Sequence, residues 1–185
     1  YHRNIMYALV ESGTITKHFF NLKGFTIGDL QYPKDIFTKW SVEEQEAIGI
    51  YKVVFDKSNF KNEEWHINTV PTFVYDDGTV TASYGTATAK SYTELKTHLI
   101  KILKQKVDNE LSKTDWYIIR KTEKTTAIPS AITTHRDLVR TRQATMETQI
   151  TNASDTPALE TLYTYTTDSD GVKSRPLGDL PKRNS

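Results

Sequence analysis

The chain contains no cysteine among its 185 residues, which excludes disulfides and every thiolate metal site. Stability must come from packing or from oligomerisation. Long apolar runs are missing too: none approaches the ~18 residues that suggest a membrane span, so no membrane partner is expected. Neither sign of charge dominates. The formal net charge is +1, which leaves no global pull toward nucleic acid, and no nucleic-acid partner is expected. Lys101, Lys104 and Lys106 do gather locally, where they read as the solvated side of a helix.

The catalytic signatures are absent as well. There is no glycine-rich phosphate loop, because the pairs Gly24–Gly28 and Gly78–Gly85 lack the lysine and the strand-to-helix context a phosphate cradle needs. There is no Gly-x-Ser-x-Gly elbow for a nucleophile. The histidines His2, His18, His66, His98 and His135 include no pair spaced i, i+4, so no metal site is expected. Asp168-Ser169-Asp170-Gly171 opens like a calcium loop but lacks the later acidic ligands, and reads as a turn. The adjacent acids Glu43-Glu44 and Glu63-Glu64 read as solvated side chains rather than a catalytic pair. No catalytic residue, cofactor or metal is assigned, and a non-enzymatic role is expected. A hydrolase would need clustered acids or a zinc site, and the sequence offers neither.

What is present begins with β-favouring segments. Residues 6–84 read as a small β-rich module. Met6 to Val10 and Thr14 to Phe20 flank Glu11-Ser12-Gly13, which predicts a hairpin. Ser41-Val42-Glu43-Glu44 is a capping box, and Gly49 supplies the stop for a short helix leading into a strand over Ile50–Phe55. Two more strands, Trp65 to Tyr75 and Thr79 to Tyr84, surround the turn signal Asp76-Asp77-Gly78. Pro71 places the first of them at an edge or splits it. The opening Tyr1-His2-Arg3-Asn4-Ile5 has no leader-like apolar core, and Met6 reads as a natural start.

The period then changes from two to between three and four. Ser91 and Glu94 form a second capping box, and Leu95, Leu99, Ile102, Leu103, Val107 and Leu111 make one apolar stripe. With no Gly or Pro before Pro129, this helix is expected to continue through Trp116 and Ile119 to about Lys121. A second helix begins at Pro129 or Ser130, carrying Ile132, Val139, Met146 and Ile150. Residues 91–151 thus predict an antiparallel helical hairpin with narrow seams that still need a further partner. Residues 152–185 are polar and turn-rich, and read as an extended arm ordered by a partner. The expected class is α+β: a β-rich module, a helical hairpin and an arm.

Trp116 and Arg120 stand four apart, as do Arg136 and Arg140, so each pair shares a helix face. Asp115 or Glu123 is placed to pair with the arginines across the turn. One reading is that this cluster locks the hairpin. In the other, Trp116, Arg120, Pro129, Arg136 and Arg140 dock a partner, since tryptophan and arginine dominate binding energy at interfaces.

Thr114-Asp115-Trp116 followed by Arg120, Glu123, Ile128-Pro129, Arg136 and Arg140 resembles the Asp-Trp…Arg…Pro…Tyr-Arg…Arg segment of bacteriophage tail assembly chaperones and tail-fibre-associated proteins. His135 stands where those proteins carry tyrosine. Gly28-Asp29-Leu30, Tyr32-Pro33 and residues 47–54 are similar to their N-terminal module. The resemblance implies a protein that binds other tail or tail-fibre proteins, or itself, without catalysis, in the virion tail or in the host cytoplasm during assembly. The competing expectation is a host-surface or carbohydrate-binding module, with Trp40, Trp65 and Tyr84 as an aromatic platform.

Overall fold

A computed structural model describes residues 6–183. The expectation that the chain's natural start is at Met6, with residues 1–5 as an extension, lies partly outside them. The chain divides into two compact units between Thr88 and Ala89. Together they give a mixed α/β protein with a curled sheet and, among the described residues, six helices.

In the first unit, β1 (Tyr7–Glu11) and β2 (Thr14–Phe19) form an antiparallel hairpin. Ser12 and Gly13 between them both take positive φ, 50° and 77°, the geometry that lets a two-residue turn match strand twist. The short pair β3 (Phe25–Ile27) and β4 (Leu30–Tyr32) follows, then α1 (Ile36–Lys39) and α2 (Val42–Ala47). The Ser41 capping box is complete, with Ser41 Oγ accepting from Glu44 N and Ser41 N donating to Glu44. Gly49 takes φ +79° beyond the helix, and a Cβ there would collide with the Val10 carbonyl, so only glycine fits.

Strand β5 (Ile50–Asp56) pairs with β1 antiparallel. After the two-residue strand β6 (His66–Ile67) come β7 (Thr72–Asp76) and β8 (Thr79–Ser83). β5 pairs with β8 in parallel and β8 with β7 antiparallel, giving the order β2-β1-β5-β8-β7. The expected strand from Trp65 is therefore split around Pro71, which has no N–H for a ladder, and its second half is an edge. The curl brings the two edges together, with the rings of His18 and Phe73 4.4 Å apart.

Alternation along these strands sorts the core. Met6, Ala8, Val10, Val53, Val80 and Ala82 fill the concave face, with Tyr51 and Tyr75 packed beside them. Tyr7, Leu9, Phe19 and Ile50 face the other way, against Phe25, Ile36 and Phe37. Each of the valine, leucine, isoleucine, methionine and phenylalanine side chains among them contributes about 1.5–3 kcal/mol on burial. Trp65 is only 2% exposed, so it belongs to the interior. The platform of Trp40, Trp65 and Tyr84 is not assembled.

The two-residue strand β9 (Thr88–Ala89) lies at the division. The second unit holds α3 (Tyr92–Ser112), α4 (Asp115–Lys124), α5 (Ser130–Asn152), α6 (Thr156–Tyr163), and the small antiparallel pair β10 (Thr166–Thr167) and β11 (Lys173–Ser174). Ser91 caps α3 by accepting from Glu94 N. Leu99, Leu103 and Val107 of α3, and Ile132, Val139, Met146 and Ile150 of α5, are buried. The start of α3 touches the end of α5, where Tyr92 donates to the Ala153 carbonyl.

Two expectations are corrected here. The first long helix does not run on to Lys121 but ends at Ser112, and α4 begins after a break at Thr114. Nor are residues 152–185 simply an extended arm. They hold α6, capped by Asp155 Oδ1 accepting from Ala158 N, and a segment that returns to the helices. Leu159 and Leu177 are fully enclosed, and Leu177 N donates to Leu162 O. Arg142 donates to the carbonyls of Leu177 and Asp179. Isolated leucines in a polar tail carry no periodicity, which is why the pattern concealed this docking.

Candidate interaction surface

The break between α3 and α4 is built by side chains rather than by glycine or proline. Thr114 Oγ1 donates to Leu111 O at 2.9 Å, diverting a helix-end carbonyl, a competition threonine offers readily. Arg136 Nη1, from the second turn of α5, lies 2.7 Å from Leu111 O, 2.7 Å from Thr114 Oγ1 and 2.8 Å from Asp115 Oδ1. One nitrogen thus caps the end of α3 and pairs with the first residue of α4. Arg136 is 7% exposed, so it is committed to this junction and is not available to dock a partner. That is a correction to its expected role.

Beside this knot, Glu110 accepts from Lys113 and, at 3.1 Å, from His135 Nε2. The Lys113 hydrogen bond, reinforced by His135, holds the Glu110 carboxyl below its ordinary value against the opposing effect of burial. An ionised carboxylate can only accept, so His135 presents Nε2–H here. The sequence points to His135 only as a departure from tyrosine and does not point to Glu110, because their separation in the chain hides their contact.

Helix α4 itself buries none of its residues. Trp116 is 49% exposed, Ile119 57% and Ile118 40%. Arg120 stacks on the indole with its Cζ 4.8 Å from the ring centroid, and also covers Tyr117 at 5.2 Å. Its Nε is shut off from solvent without a hydrogen-bond partner. The helix ends on Thr125 at φ 55°, a left-handed conformation that is costly for a β-branched residue. Pro129 caps α5 and is exposed, and Arg140 is exposed and pairs with Asp137 at 3.5 Å.

Trp116 and Arg120 are thus brought together, whereas Arg136 is drawn inside and Arg140 pairs elsewhere. The first helix is expected from the sequence to continue through Trp116 and Ile119; beyond the break at Thr114 both are exposed instead. Among the described residues, no cluster of three or more His, Asp or Glu is placed to hold a metal ion. No helix of the described residues is long and apolar enough to cross a membrane.

No family model matches the chain, and neither curated proteins nor solved structures yield a match.

Proposed function

We propose that this protein acts by protein–protein binding as a bacteriophage tail or tail-fibre protein, either a fibre-assembly chaperone or a minor adaptor of the virion tail. In this reading α3 and α5 form the stem of a helical hairpin, and α4 is the part that meets the partner. The observation that carries the binding role is the exposure of Trp116, Ile118 and Ile119 on a helix with no buried residue. Apolar side chains exposed singly are ordinary, but Trp116 with Ile119 three residues on shares one helix face, and an exposed tryptophan beside an isoleucine suits a surface that a partner covers. The Asp-Trp…Arg…Pro…Arg resemblance supplies the partner class, a subunit of a tail or tail fibre.

The mechanism is burial of surface, with no bond chemistry. Arg136 fixes where α4 departs from α3, and the Arg120–Trp116 stack holds the indole in one orientation before binding. Pre-ordering an anchor side chain reduces the entropy lost on association. A stable contact of this kind should bury about 1,200–2,000 Å² in total. Mass spectrometry of purified tail particles and of fibre-assembly intermediates tests the assignment. The chain should be found at fixed stoichiometry in one or the other; its absence from both contradicts the proposal.

A further inference from the structure

We infer that the end of α3 and the C-terminal segment together form an oxyanion-binding site, and that it favours a carboxylate over a dianionic phosphate. A cavity of about 240 Å³ is lined by Glu110, Lys113, Thr114, Lys182 and Arg183. At roughly 30 Å³ of liquid volume per water molecule, it has room for a small oxyanion and several waters. Its walls carry three cations and one carboxylate.

Two of those cations are uncommitted. Lys113 is already paired with Glu110, and the neighbouring Arg136 is spent on Leu111, Thr114 and Asp115. Lys182 and Arg183 form no hydrogen bond or ion pair with the described residues. The chain brings them there by anchoring the preceding residues, since Arg142 holds Leu177 and Asp179, and Arg175 pairs with Asp179 at 2.7 Å. Like charges gathered around one cavity repel, and a bound anion relieves that repulsion. The guanidinium of Arg183 suits two oxygens of one group, and the ammonium of Lys182 adds a point charge.

Glu110 sets the preference. Lys113 and His135 keep it ionised, so a fixed negative charge faces the ligand. A second full charge on the ligand meets that carboxylate, and a singly charged carboxylate meets it less. The site is independent of the α4 reading: it can be present or absent whether or not Trp116 docks a partner.

The test is an NMR titration of the full chain near neutral pH and low ionic strength, with sodium acetate, sodium phosphate and a short acetylated glutamate peptide as probes. Sodium chloride at matched ionic strength is the reference. Saturable shifts at the Lys113 and Thr114 amides and the Arg183 Nε–H are expected, with phosphate several-fold weaker than the peptide. Lys182→Ala with Arg183→Ala should abolish them, whereas Lys121→Ala with Lys124→Ala, on exposed α4 positions, should not. Shifts no larger than those with chloride, or shifts that survive the Lys182/Arg183 double variant, overturn the site. Phosphate binding more tightly than the peptide overturns the carboxylate preference.

Discussion

Arg136 donates to the backbone carbonyl of Leu111 across 2.7 Å, joining the second turn of one helix to the last turn of another. That bond, with those to Thr114 and Asp115, ends α3 and launches α4. Removing the guanidinium leaves the enclosed Thr114 hydroxyl oxygen without its donor, while the Leu111 carbonyl loses one donor and keeps the Thr114 hydroxyl. Breaking buried charged hydrogen bonds costs about 3–5 kcal/mol, but Asp115 is half-exposed and regains water. Arg136→Ala should therefore lose roughly 2–4 kcal/mol in urea unfolding. A change too small to resolve would mean that the junction is not held by this side chain.

Trp116→Ala should behave differently. Trp116 is already about half exposed, so the stability loss should be about 1 kcal/mol, mostly the Arg120 stack. Binding to a tail or fibre subunit should fall by roughly thirtyfold, the loss of one anchor residue worth about 2 kcal/mol. Isothermal calorimetry beside thermal melts separates the two effects. A large stability loss with unchanged binding would place the ring in the fold instead of the interface.

Truncation after Asn152 should unfold the helical unit. It removes the enclosed Leu159 and Leu177 and the Thr156 bond to Lys90 O. Each lost leucine costs about 2–5 kcal/mol, against a total stability of roughly 5–15 kcal/mol for a domain. Circular dichroism should show a loss of helix well beyond the residues removed. Retention of the α3 and α5 signal with unchanged melting would show that the segment is dispensable.

Gly178 takes φ +66°, and a Cβ there would overlap the Arg142 guanidinium. Gly178→Ala should displace Arg142 from Leu177 and Asp179 and loosen the C-terminal segment. Limited proteolysis should cut first within residues 164–183. A cleavage pattern identical to that of the unaltered chain would argue against this anchor.

Acid should weaken the junction through Glu110. Its folded pKa lies below the ordinary 4.5, chiefly because of Lys113. The stabilising contribution is therefore complete above the unfolded value and disappears as pH falls through the lower folded one. Glu110→Gln should lower stability near neutrality, where that contribution is complete, and should flatten the acid limb of a stability–pH curve below about pH 4.5, where the two proteins converge. An acid limb of unchanged slope would remove Glu110 from the account.

Local signals carried much of the architecture. The Ser41 box, Gly49, the Ser12-Gly13 link and the Asp76-Asp77-Gly78 turn each place an element, because capping and positive φ are properties of a few adjacent residues. The apolar stripes of α3 and α5 were equally plain. Three features were hidden. The break at Thr114 depends on Arg136, which arrives from another helix, and no breaker residue marks it. The docking of Leu177 depends on Arg142. The cavity depends on Lys182 and Arg183 meeting Glu110, with no local pattern to announce it. Trp116 and Arg120 were legible as a pair; that Arg136 turns inward was not.

Hydrogen–deuterium exchange of the full chain, alone and mixed with purified tail and tail-fibre subunits, tests the central claim most directly. The account predicts rapid exchange across Asp115–Lys124 in the free protein and marked protection there on mixing, lost in Trp116→Ala. Protection confined to other segments, or none with any tail subunit, would contradict it.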